Sequence, residues 1–129
     1  MAPVMERILL ISLGAVLGAN ARYWIGVWAA RHVGIAFPYC TFFVNATGSL
    51  ALGFLVSVGS QRIPIAPELR LLLGVGFLGS YTTFSSFAVE SLSLAQNSGN
   101  GHALLNILAN NLAGLTFALL GVYLARFFP

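Results

Sequence analysis

Lysine is absent from this 129-residue chain, cysteine occurs once, and charge of either sign is scarce, with six arginines against three acidic residues. Each shortage excludes something. A single cysteine, Cys40, cannot close an intrachain disulfide. Without a CxxC pair or clustered histidines and acids, no transition-metal site is expected. The arginines stand singly rather than in a patch, so no nucleic-acid partner is expected either. No nucleophile, base or cofactor motif is visible, which excludes an enzyme reading. Charged residues make up 7% of the chain, against roughly a quarter in soluble domains.

What fills the chain is apolar: 58% of residues are hydrophobic. The stretches between charges are long enough to cross roughly 30 Å of hydrocarbon at about 20 residues each. Four spans are predicted, at about 6–30, 38–59, 70–97 and 102–127, leaving only short connections. The whole chain, 1–129, then forms one all-α membrane domain. Arg7 followed by an apolar run and "ANA" at 19–21 imitates a cleavable signal, but the periodicity continues to Ala30, which favours a first transmembrane helix. Arg7, Arg62, Arg70 and Arg126 fall on one side and Arg31, with Arg22 if it reaches, on the other. The bias weakly favours both ends in the cytoplasm and leaves insertion both ways open. Four short helices leave little interior for a path, and small-residue pairs such as Gly14 and Gly18 let backbones approach, so a homo-oligomer is expected.

Polar groups inside hydrocarbon are costly and point to function. Thr41, Asn45 and Ser49 share a helical face, either as interhelical glue or as a permeation stripe. Asn106, Asn110 and Gly114 repeat the spacing in the last span, with Asn111 beside them; those amides need partners or line water. Arg22 either snorkels to headgroups or places a fixed positive charge at a vestibule. Glu90 is either a proton-coupled carboxylate or a hydrogen-bonded group near the membrane edge. His32 and His102 are expected in loops.

The third span carries "GVGFLG", Gly74 to Gly79, followed by "SYTTFSSF" at 80–87. A dinucleotide fingerprint would need a strand before it and an acid about twenty residues on, and neither is present. Three glycines followed by hydroxyls instead suggest a span broken within the membrane, tolerated where protein buries the exposed carbonyls or an ion takes them. Phe84 and Phe87 lie on one face, flanked by Thr83, Ser85 and Ser86. They are packing residues, or rings whose positive edges meet an anion without holding it tightly.

"GFLGSYTTFSSFAVE" resembles the signature G-F-x-G-G-x-T-T-F-S-T-F of the Fluc/CrcB fluoride channels. "TFFVNATGS" is similar to their G-T-L-x-V-N-x-x-G-S, and "GAVLGANARYW" to their G-G-x-x-G-A-x-x-R-[YW]. The resemblance covers nearly the whole chain. It implies an antiparallel, dual-topology homodimer with two pores, passing fluoride out through the cytoplasmic (inner) membrane of a bacterium, with no other protein partner.

Carried onto this chain, the resemblance makes Phe84 and Phe87 the aromatic box, with Asn45 orienting the rings and Thr41, Thr83 and Ser85 in the polar lining. Arg22 matches the vestibule arginine. The backbone carbonyls of Gly79 and Thr82 would hold a structural Na+ at the dimer centre. Asn106 and Asn110 stand where the family has a Y-x-x-x-S track, and Ser80 and Cys40 replace glycines. The rival expectation is a small proton-coupled exporter titrating at Glu90.

Overall fold

A computed structural model describes residues 3–61 and 63–127. It is helical throughout: α1 (Val4–His32), α2 (Tyr39–Gln61), α3 (Pro67–Leu69), a π-helical stretch (Arg70–Leu78), α4 (Gly79–Tyr81), α5 (Phe84–Asn97), α6 (Asn100–Leu124) and a 3-10 turn (Ala125–Phe127). Four stretches among the described residues are long and apolar enough to cross a membrane: Val4–His32, Tyr39–Ser60, Pro67–Asn97 and Asn100–Phe127. These bounds differ from the predicted spans by up to three residues at an end. His32, the last residue of α1, and His102, in the first turn of α6, consequently lie in helices rather than loops, and both are exposed. Arg62, counted above among the charges of one side, lies outside the described residues.

The spans pair out of order. The first packs along the π-helical part of the third, and α2 packs along α6. Both contacts are backbone against backbone, because small residues remove the side chains that would hold the helices apart. A Cβ on Gly14 would strike the Leu72 carbonyl, and one on Gly18 the Phe77 carbonyl. From the other side, a Cβ on Gly76 would lie 2.6 Å from the Ile11 carbonyl. Gly53 and Gly121 repeat the arrangement against the carbonyls of Ala118 and Leu50. Around these seams a small core forms from Val44, Leu78 and Tyr81, with Ala21, Ile25, Ala51, Leu55 and Phe77 packed on it.

The third span does not leave helical geometry at its glycines. The Gly79 N–H reaches back five residues to the Gly74 carbonyl, and the helix runs on to Tyr81. Extended backbone comes at Thr82 (φ −82°, ψ 159°) and Thr83 (φ −153°, ψ 116°). Of these glycines, Gly76 serves close approach to α1; the hydroxyl residues occupy the non-helical step. At the far end of α2, Arg70 Nη2 donates to the Gly59 carbonyl at 2.8 Å, placing a cation where the helix dipole is negative.

Gly121→Ala is expected to lower stability by about 1–3 kcal/mol, because its methyl group meets main chain of α2 that cannot step aside. Gly101→Ala, in the same helix with open space around it, is expected to be neutral or stabilising by up to about 1 kcal/mol. Thermal unfolding of both variants in detergent checks the pair; equal melting points would refute the close-contact reading.

Candidate functional site

The site is built on the extended step between α4 and α5. An isolated peptide unit buried in hydrocarbon loses several kcal/mol unless something bonds it. Asn45, from the middle of α2, supplies both partners: Thr83 N–H donates to Asn45 Oδ1 at 2.8 Å, and Asn45 Nδ2 donates to the Thr83 carbonyl at 3.1 Å. An amide side chain thus pairs with Thr83 as a neighbouring strand would. Thr83 then caps α5: its Oγ1 accepts from Ser86 N–H at 3.1 Å and donates to Ser86 Oγ at 3.0 Å. The Ser85 hydroxyl lies 3.4 Å from Thr83 Oγ1.

Asn45 Nδ2 also donates to Asn110 Oδ1 at 3.3 Å. Asn110 Nδ2 donates to Asn106 Oδ1 at 2.9 Å and to the Asn106 carbonyl at 3.1 Å. Asn106 Nδ2 donates to Ser91 Oγ at 2.9 Å, and the Ser91 hydroxyl donates to the Phe87 carbonyl at 2.8 Å. Asn106 is completely buried, and Asn110 and Ser91 nearly so. The two amides of α6 therefore bind across helices within one chain. Asn111 points away from them, exposed, and is satisfied by the Ile107 carbonyl of its own helix.

The two phenylalanines part company. Phe87 is buried, whereas Phe84 is 78% exposed, their ring centres 5.4 Å apart and planes tilted by 56°. Beside Phe84 runs an open groove of about 240 Å³ on which Asn45, Ser49, Thr82, Thr83, Asn110 and Gly114 converge. Ser85, one residue on, is exposed.

Midway along α5 a second polar cluster forms. Buried Thr41 donates through Oγ1 to Glu90 Oε1 at 2.8 Å, while Glu90 Oε2 is buried with no hydrogen-bond partner among the described residues. Glu90 lines a cavity of about 270 Å³ with Cys40, Ser93 and the α1–α2 connection around Gly34. Arg22 is partly buried in α1, and its carbonyl accepts from Cys40 Sγ at 3.6 Å.

The structure thus brings Asn45, Thr83, Asn106 and Asn110 into one hydrogen-bonded set with Phe84 at its edge, and joins Thr41 to Glu90 separately. Two participants escaped the sequence reading. Ser91 sits one turn after Phe87, a spacing that could have marked it. Tyr81, whose hydroxyl lies 3.0 Å from Thr47 Oγ1, was given no role there.

Thr83→Ala removes the cap and is expected to destabilise the fold by about 1 kcal/mol, with Thr83→Ser restoring most of it. Chemical denaturation of the three proteins in detergent checks this; no difference between alanine and serine would show that the cap contributes nothing.

A family profile described as CrcB-like protein, Camphor Resistance (CrcB), matches residues 9–122. The chain is 43% identical over 124 residues to a protein of Chloroflexus aurantiacus named fluoride-specific ion channel FluC, covering 96% of this chain and 98% of that one. It is 42% identical over 117 residues to a protein of the same name from Thermus thermophilus, covering 91% of each. A third, from Trichormus variabilis, shares 47% identity over 93 residues, 71% of this chain and 68% of its own.

Proposed function

This chain belongs to the CrcB family, a family of ion channels rather than enzymes, and on that premise we propose that it conducts fluoride passively out of the cell, relieving fluoride toxicity. The observation that carries the reading is the groove beside Phe84. There a ring and the polar atoms of Asn45, Thr83 and Asn110 meet within a membrane span. Ring edges and the exposed Ser85 hydroxyl are donors of partial positive charge, weak enough to release an anion that they admit, while the amides of Asn45 and Asn110, their hydrogens already engaged, hold that surface in place. The start of α5 adds the positive end of a helix dipole at the same place.

A channel of this kind needs no energy coupling. A potential negative inside favours anion exit by about 2.3 kcal/mol per charge per 100 mV. Arg22 would raise the anion concentration at the vestibule. Fluoride would then pass Thr41 and Glu90, the Phe84 and Phe87 rings, and the hydroxyls of Thr83 and Ser85.

A single copy leaves Phe84 exposed and the groove open on one side. A second copy in antiparallel, dual-topology arrangement would cover both and produce two pores, with the third span broken at Thr82 and Thr83. This assembly in the bacterial inner membrane completes the proposal. A structural Na+ at the centre of that dimer, held by the carbonyls of Gly79 and Thr82, is part of the same proposal. In a continuous helix the N–H groups of Thr83 and Ser86 would bond the carbonyls of Gly79 and Thr82; here they go to Asn45 Oδ1 and Thr83 Oγ1 instead. Those two carbonyls are hard oxygen donors suited to such a cation, which would supply fixed positive charge at the dimer centre.

One observation favours a second reading. Glu90 Oε2, without a hydrogen-bond partner among the described residues, suits a carboxylate that takes up a proton, as in a small proton-coupled exporter.

Fluoride-electrode recording of efflux from liposomes holding only the purified protein separates these readings. Rapid voltage-driven fluoride loss is expected, with no comparable chloride loss and at least about a tenfold slowing in Phe84→Ile. Glu90→Gln is expected to retain voltage-driven flux. Saturable, pH-driven flux abolished by Glu90→Gln would favour the exporter, and silence from folded wild-type protein would refute transport by this chain alone.

A further inference from the structure

A chain of hydrogen bonds leaves the start of α5 at one backbone group and returns to it at another. It runs from Thr83 N–H to Asn45, then Asn110, Asn106, Ser91 and finally the Phe87 carbonyl. Every bond in it points the same way, donor to acceptor, from Thr83 toward Phe87. Its direction is dictated at both ends, because a backbone N–H only donates and a backbone carbonyl only accepts.

Ser91 is where the direction is set on the far side. Its one hydrogen goes to Phe87, so it faces Asn106 solely as an acceptor, and Asn106 must present Nδ2 to it. That turns Asn106 Oδ1 toward Asn110, whose Nδ2 then fills it, and turns Asn110 Oδ1 toward Asn45. Flipping any one amide would set donor against donor or acceptor against acceptor. Asn106, with no exposed surface, has no water to compensate.

We propose that Ser91 is a positioning residue for ion passage. It touches no ion; through Asn106 and Asn110 it fixes the direction of the Asn45 amide. It thereby holds the turn carrying Phe84 and Phe87 in its conducting geometry. The inference rests on the channel reading above. It also recasts Asn106 and Asn110, whose mutual bonds use both hydrogens of Asn110 Nδ2, as members of the circuit rather than groups open to a passing anion.

Threonine and valine at position 91 have nearly the same shape, and only threonine has the hydroxyl. In fluoride efflux from liposomes, Ser91→Thr is expected to stay within about twofold of wild type, and Ser91→Val and Ser91→Ala to slow efflux about tenfold or more per folded protein. Gel filtration and melting in detergent report folding independently of flux. Val or Ala variants that fold normally and conduct at the wild-type rate overturn the proposal. If either fails to fold, Ser91→Cys, close in size but a weaker donor and acceptor, replaces it, and wild-type efflux there overturns the proposal equally. Wild-type protein that passes no fluoride refutes the channel reading itself, and the role of Ser91 with it. Wild-type conduction with indifferent Ser91 variants refutes the circuit alone.

Discussion

The two-point pairing of Asn45 with the backbone of Thr83 is the interaction on which the rest of the site depends. A helix that stops within a membrane leaves peptide groups that no water can reach. Without a side chain able to donate and accept at once, Thr83 could not remain extended, α5 could not begin at Phe84, and the two rings would not stand at the head of a helix. An amide is the uncharged side chain that does both. A hydroxyl is too short to span the N–H and carbonyl of one residue, and a carboxylate would bring a charge and no donor.

The rest of the polar interior follows from that choice. Having met Thr83, Asn45 has one amide hydrogen left, which goes to Asn110. Asn110 and Asn106 satisfy one another, and Ser91 ends the series on a carbonyl that its own helix supplies. Hydrocarbon surroundings make such a series cooperative and make any gap in it expensive. The Thr41 and Glu90 pair stands apart, midway along α5, and leaves one carboxylate oxygen without a partner among the described residues.

Much of this was legible in the sequence, for identifiable reasons. Span number and approximate bounds follow from hydropathy, because hydrocarbon thickness sets a length that few charges interrupt. Thr41, Asn45, Asn106 and Asn110 stood out because amides and hydroxyls in apolar helices demand partners. What the linear pattern did not contain was who those partners are. Asn45 and Asn110 are 65 residues apart, and nothing in either helix specifies the other. The glycine and hydroxyl run of the third span did not say which of its residues leave helical geometry, because a glycine needed for close approach to another helix looks the same as one needed for a turn. Gly76 is the former, facing Ile11. Ser91 was passed over because serine bonded to its own helix is ordinary, and only the fold reveals that it also receives Asn106.

The order in which the helices pair bears on how the protein is made. Neither principal seam joins neighbours in the chain: the first span packs on the third, and the second on the fourth. Emerging from the ribosome N-terminus first, α1 waits in the bilayer for Gly76 and Phe77, and α2 waits longer still for Ala118 and Gly121. Of the adjacent spans, the third and fourth pack most closely, through α5 and α6, and that contact too needs the last span. Until the last span is inserted, the amide of Asn45 has neither Asn110 to bond nor a packed α2 to hold it, so the polar interior is completed only when the final helix arrives.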